Sequence, residues 1–127
     1  LSALVLDAGA FIAVDRGDRE LIAQLRVAQT HGLTLRTTGI VLAQVWRDPA
    51  GRQADLARLL HAVEIRAVDA DMGRRAGVLL AKAETGDPID ATVVLVAQDG
   101  DRVLTSDPRD LKLLATRARK RIAIVAC

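Results

Sequence analysis

The sequence predicts an α/β domain in which helices wrap a central, mostly parallel sheet. Short apolar runs bounded by turn residues alternate with longer segments of helical period, and the strand-like runs are apolar on both faces. The chain's 127 residues suit one domain spanning 1–127, large enough to bury a core without disulfides. Residues 4–6 read as a buried strand and 8–14 as a short helix. Residues 18–30 carry Leu21, Ile22, Leu25, Val27 and Ala28 at helical spacing, and Gly32 ends them. Residues 33–37 alternate as a strand, and 39–47 form a nearly all-apolar helix that stops before Pro49. A helix over 53–62 gathers Leu56, Leu59 and Leu60 on one face, and a strand follows over 63–68. Residues 69–83 place Met72, Ala76, Leu79 and Leu80 inward on a helix, and 89–98 form an apolar helix or buried element. A strand over 102–105, a helix over 111–119 and a last strand over 122–125 complete the pattern.

Half of the residues are apolar and 27% are charged, as in ordinary globular chains. No apolar run approaches the roughly 18–20 residues that span a bilayer, so no membrane association is expected. No basic segment opens the chain, so no signal peptide is expected, and the expected compartment is the cytoplasm. A single cysteine, Cys127, excludes an intrachain disulfide and a cysteine-based zinc site. His31 and His61 lack metal-ligand spacing. Net charge is only +2, and the excess base sits in Arg117, Arg119, Lys120 and Arg121, which read first as a solvated helix end and second as a phosphate-binding patch that, with Arg47, Arg109 and Lys112, could contact nucleic acid. With Phe11 and Trp46 the only aromatics, base stacking is disfavoured, so any nucleic-acid contact should be to the backbone.

The chemistry lies in the acids. Asp7 interrupts the apolar run of residues 3–14, where an unpartnered carboxylate loses several kcal/mol of solvation. Asp90 and Asp107 occupy comparable places, where an apolar segment meets a helix start. In parallel sheets ligands bind beyond the carboxyl ends of strands, which is where Asp7 and Asp107 would project. The tetrad Asp-Pro-x-Asp occurs twice, at residues 87–90 and 107–110. Asp at N-cap and Pro at N1 is what a helix start prefers, so Asp87 reads as a cap, while Asp107 is open to either capping or ligation. Asp110 is expected around the site or in solvent. Two carboxylates about 4 Å apart repel by roughly 4 kcal/mol at an effective dielectric of 20, so converging acids need a cation or a proton. Mg²⁺ or Mn²⁺ suits an all-oxygen site; such an ion polarises a phosphate and lowers the pKa of a water. Gln44 is a second polar residue in an apolar setting, either a buried amide or a neutral ligand, and Trp46 is expected in the core. Asp48, one turn on, could reach the same side.

Residues 4–10, 38–47, 86–91 and 104–111, in that order, give a pattern that resembles PIN-domain ribonucleases, specifically VapC-type toxins of toxin–antitoxin pairs. The resemblance implies a PIN-like three-layer α/β/α fold and a quartet of acids that holds Mg²⁺ or Mn²⁺ for endoribonuclease hydrolysis, leaving 5′-phosphate and 3′-hydroxyl ends. Asp7, Asp90 and Asp107 match its three aspartates, and Thr105 and Ser106 match hydroxyl residues beside the last. Its fourth acid, normally Glu, falls on Gln44, which removes one charge; Asp110 or Asp48 are the acids able to compensate. The implied partners are an RNA substrate, a cognate antitoxin whose tail covers the site, and a second copy in a homodimer. The alternative is a PIN fold weakened at Gln44 that binds RNA or protein without cutting. A phospho-acceptor receiver or an aspartyl phosphotransferase fits poorly, because Ala8 and Gly9 follow Asp7 where those would carry acids.

Overall fold

The computed structural model describes residues 2–127, the side chain of Pro49 excepted. Strands β1 (Ala3–Leu6), β2 (Thr34–Thr38), β3 (Val63–Arg66), β4 (Arg102–Thr105) and β5 (Ala123–Ala126) form one sheet in the order β3-β2-β1-β4-β5. Every neighbouring pair is parallel, with Leu4 of β1 opposite Leu35 of β2 on one side and Arg102 of β4 on the other. The chain first builds outward from β1 through β2 to β3, then returns to lay β4 and β5 on the opposite side. Right-handed crossovers therefore put α1 (Ala8–Asp15), α2 (Arg19–Thr30), α3 (Gly39–Val45) and α4 (Ala54–His61) on one face. Helices α5 (Ala70–Ala83), α6 (Pro88–Val96) and α7 (Pro108–Arg117) pack with one another on the other face.

The reversal of strand order falls between β1 and β4, so the crevice at their carboxyl ends is the natural ligand position of such a sheet. Strand β1 is buried along its whole length and Phe11 of α1 is fully enclosed, which explains why both runs are apolar without alternation. Hydroxyls tie the carboxyl ends together: Thr37 donates to the Leu6 carbonyl at 2.7 Å, and Thr38 pairs with Thr92 of α6 at 3.0 Å. Thr92 also lies 2.7 Å from the carbonyl of Ile89, at the start of the same helix.

At the opposite end, buried Asp101 accepts the Ala3 and Gln98 backbone N–H groups at 2.8 and 2.7 Å and faces the Arg36 guanidinium at 3.4 Å. Arg36 also bonds Glu64 and the Val96 carbonyl, both at 3.3 Å, so one ion network joins β1, β2, β3 and the approach to β4. Asp101 gave no sequence signal, because two of its three partners, Ala3 and Arg36, come from distant segments.

Three expectations are corrected here. Trp46 is not in the core; it is more than a third exposed, because α3 ends at Val45 and turns the indole outward beside Leu42 and Leu60. Gln44 is not in a buried setting either, since its position on α3 faces solvent. The buried amide is Gln53, whose oxygen accepts from Arg47 and Asp48 N–H at 2.7 and 2.5 Å and whose nitrogen donates to Val45 and Asp15. It satisfies the loop of residues 46–52, which contains a single 3₁₀ turn (Pro49–Gly51) and two non-glycine residues, Asp48 and Ala50, with positive φ. Finally, Lys120 is no solvated helix-end charge. Its amine caps α6 by donating to the carbonyls of Val94, Leu95 and Ala97 at 3.1, 2.9 and 2.6 Å, and burial followed by the nearby Arg75 charge lowers its pKa.

Removing the Asp101 carboxylate strands a partly buried guanidinium and two N–H groups. Asp101→Ala should lower the unfolding free energy by roughly 3–5 kcal/mol in urea titrations. A loss below about 1 kcal/mol would show that water replaces the network at little cost.

Candidate metal centre

Three loops deliver acids to the crevice between β1 and β4. Asp7 follows β1 and caps α1, with Oδ1 accepting the Ala8 N–H at 2.8 Å. Asp90 stands at the third position of α6, where Asp87 is the cap: Asp87 Oδ1 accepts from Ile89 and Asp90 N–H at 2.9 and 3.3 Å. The second Asp-Pro-x-Asp tetrad behaves differently. Asp107 precedes α7 without making a side-chain cap bond, and its own N–H donates to Thr105 Oγ1 at 2.9 Å. The two Asp-Pro-x-Asp motifs therefore divide their work, one closing a helix end and the other turning its first carboxylate away from the cap.

Thr105 links the site. Its hydroxyl is fully buried, donates to Asp7 Oδ2 at 2.7 Å and accepts from Asp107 N–H, so both Asp7 oxygens are engaged and the Asp107 backbone is held. Ser106 is exposed between them. Gly9 makes this arrangement possible: a Cβ there would lie 2.7 Å from Ser106 Cβ and Oγ and 3.0 Å from its backbone nitrogen. The sequence signal for that requirement was a glycine two residues after an apolar-run acid, but the residue it approaches lies far along the chain.

The acids whose oxygens converge are Asp90, Asp107 and Asp110, with one oxygen from each within 4.8 Å of the others. Asp7 stands outside that group, and Asp110, expected only in the surroundings, is part of it. No hydrogen bond joins the Gln44 amide or Asp48 to these acids among the described residues. Asp90 is 8% exposed, yet no described donor hydrogen-bonds to its carboxylate. Its pKa is pushed up from 3.8 to about 7, first by desolvation and then by the charges of Asp87, Asp7, Asp107 and Asp110. Asp110 is also raised, chiefly through its hydrogen bond and charge repulsion with Asp107. Asp101 shows the contrast, as an equally buried acid surrounded by donors.

The donor set fits a hard divalent cation. Octahedral ligands at about 2.0–2.1 Å from Mg²⁺ lie roughly 3–4 Å apart, so oxygens now within 4.8 Å need only a small inward movement. All three are oxygen ligands, which favours Mg²⁺ or Mn²⁺ over softer metals.

No protein-family profile matches the chain, and no curated protein matches it by sequence. A solved structure does match its fold. The crystal structure of VapBC2 from Rickettsia felis bound to a DNA fragment from their promoter superposes with a TM-score of 0.70, covering 98% of this chain and 98% of that chain at 15% identity. The architecture is thus a PIN-like three-layer α/β/α fold with an all-parallel five-stranded sheet, as the sequence led us to expect. Among the described residues no helix is long and apolar enough to cross a membrane.

Two outcomes follow from this geometry. Without divalent metal, folded Asp90 keeps its proton to about pH 7 while the unfolded residue releases it near 3.8. The folded state binds more protons between those values, so stability falls as pH rises through that window and levels off above it. Asp90→Asn should flatten the fall and raise the metal-free Tm at pH 8 by roughly 2–6 °C, about 1 kcal/mol; an unchanged pH profile would refute the assignment. Gly9→Ala, despite alanine's better helix propensity, should lose roughly 1–3 kcal/mol in chemical denaturation, because the Ser106 backbone must move. Stabilisation instead would show that the contact relaxes freely.

Proposed function

We propose that this protein is a divalent-metal-dependent endoribonuclease of the PIN type and the toxin half of a VapBC-like pair. The observation that carries this reading is the unneutralised meeting of Asp90, Asp107 and Asp110 at the switch point of a PIN-like sheet. Stable folding alone gains nothing from such a cluster, since carboxylate repulsion is destabilising. The shared fold with VapBC2 supports the toxin reading and an antitoxin protein as partner.

Asp90, Asp107 and Asp110 would hold Mg²⁺ or Mn²⁺. Once bound, the ion neutralises the cluster, polarises the scissile phosphate and makes a water easier to deprotonate. Asp90, which holds its proton to about pH 7 without an ion, would have to be deprotonated to serve as a ligand, so its affinity for the ion would rise with pH through neutrality. Asp7 acts through Thr105: by accepting the threonine hydroxyl it turns the Thr105 lone pair towards the Asp107 N–H and fixes where residue 107 stands. Ser106 offers an exposed hydroxyl beside the phosphate position. Asp110 is the exposed member of the cluster, on the solvent side from which an ion would enter.

The second reading, a PIN fold that binds without cutting, is favoured by Gln44, an exposed neutral amide where the resemblance calls for an acid. One set of measurements separates the two. Wild type with Mg²⁺ should cleave single-stranded RNA, EDTA should abolish cleavage, and Asp7→Asn and Asp90→Asn should each reduce it at least about 100-fold, the loss expected when a positioned acid–base or ligand group is removed. Cleavage that persists in EDTA, or equally in both variants, would rule out the mechanism. A silent wild type with an active Gln44→Glu variant would establish the binding reading.

A further inference from the structure

Six of the chain's 18 lysines and arginines line one groove of about 860 Å³ between α5 and the end of α7: Arg74, Arg75, Lys82, Arg117, Arg119 and Lys120. No aspartate or glutamate lines it. Arg75 has a distant ion-pair partner in Asp71 at 3.9 Å, and Lys120 is committed to capping α6. Arg74, Lys82, Arg117 and Arg119 form no salt bridge with any described residue, and all four are exposed. The floor is aliphatic, with Val78 58% exposed, and no aromatic side chain contributes.

Helix dipoles favour Lys82 and Arg117, which stand in the last turns of α5 and α7. They do not account for Arg74 and Arg75, in the first half of α5, or for Arg119. Arg119 occupies a position where glycine is the usual residue. The Arg119 N–H bonds the Thr116 carbonyl and the Lys120 N–H bonds the Ala115 carbonyl, which closes α7 with a left-handed residue at φ 55°. An arginine held in that conformation is strained, and strain retained at a charged surface points to a use for the side chain.

Helix α7 joins this groove to the acids. Asp107 and Asp110 stand at its start and Arg117 at its end, and the seven residues from Asp110 to Arg117 rise roughly 10 Å at 1.5 Å each. Exposed Arg109 and Lys112 lie along the way. We infer that the α5–α7 groove is the track that holds the phosphodiester backbone of single-stranded RNA on its way to the acidic cluster. This inference rests on the ribonuclease reading. The groove meets phosphate with charge, and its aliphatic floor packs against sugar, so recognition here is not by base.

The test reads binding in EDTA, independently of cleavage. A labelled RNA of roughly 12 nucleotides should bind wild type with an affinity that falls steeply between about 50 and 200 mM salt. The triple variant Arg74→Ala/Lys82→Ala/Arg117→Ala should bind at least about tenfold more weakly, with the log–log salt slope shallower by about 2, near 0.7 for each phosphate no longer neutralised. Arg74→Lys/Arg117→Lys should retain most of the affinity. Arg119→Gly should raise the Tm by relieving the left-handed turn while it weakens RNA binding, a pairing of effects that a purely structural role would not produce. Wild-type affinity and slope in the triple variant would overturn the inference. So would a preference of the groove for an acidic peptide, or loss of duplex-DNA binding with RNA binding untouched. Failure of the ribonuclease reading looks different: no metal-dependent cleavage, with groove-dependent RNA binding intact.

Discussion

The site depends on one electrostatic imbalance: a mostly buried carboxylate that no protein donor satisfies and that keeps only residual contact with water. Asp90 meets the charges of Asp7, Asp87, Asp107 and Asp110, and the result is a proton held to near neutrality. Asp101 shows what the same fold does when a buried acid serves stability, surrounding it with two backbone N–H groups and a guanidinium. Burial is similar in the two cases and satisfaction is opposite. A cation is the simplest species that makes the first arrangement as comfortable as the second.

The rest of the architecture keeps that imbalance in place. Parallel strands whose order reverses between β1 and β4 open a crevice there, and two helix starts converge on it. Thr105 couples Asp7 to the backbone of Asp107, while Thr37 and the Thr38–Thr92 pair stop the strand ends and α6 from drifting apart. Gly9 lets α1 approach residue 106 closely enough for this to close. Charge is also segregated along α7, with carboxylates at its amino end and cations at its carboxyl end. That polarity follows the helix dipole only in part: acids near the start of α7 and basic residues near its end agree with it, whereas Arg74 and Arg75 on α5 do not.

Much of this was legible before the structure was known, and for local reasons. Apolar runs without alternation announced strands buried on both faces, and Asp-Pro pairs announced helix starts, because caps and periodicity are written within a few residues. The isolated acid at Asp7 was conspicuous for the same reason. Boundaries slipped where a start signal overlapped a chemical one: α7 begins at Pro108, directly after an acid whose side chain does not cap it. The buried amide proved to be Gln53 rather than Gln44, since a seven-residue helix in an apolar segment gives little information about which face meets the core.

By itself, the order of residues determined the alternation of elements, the parallel sheet and the set of acids able to form a site. Tertiary structure alone decided which acids meet. Whether Asp110 or Asp7 joins Asp90 and Asp107, and which of the two Asp-Pro-x-Asp tetrads is a cap, depends on how strands ninety-odd residues apart lie side by side. Pairing of that kind is set by the packing of the whole core, and no short window of sequence contains it.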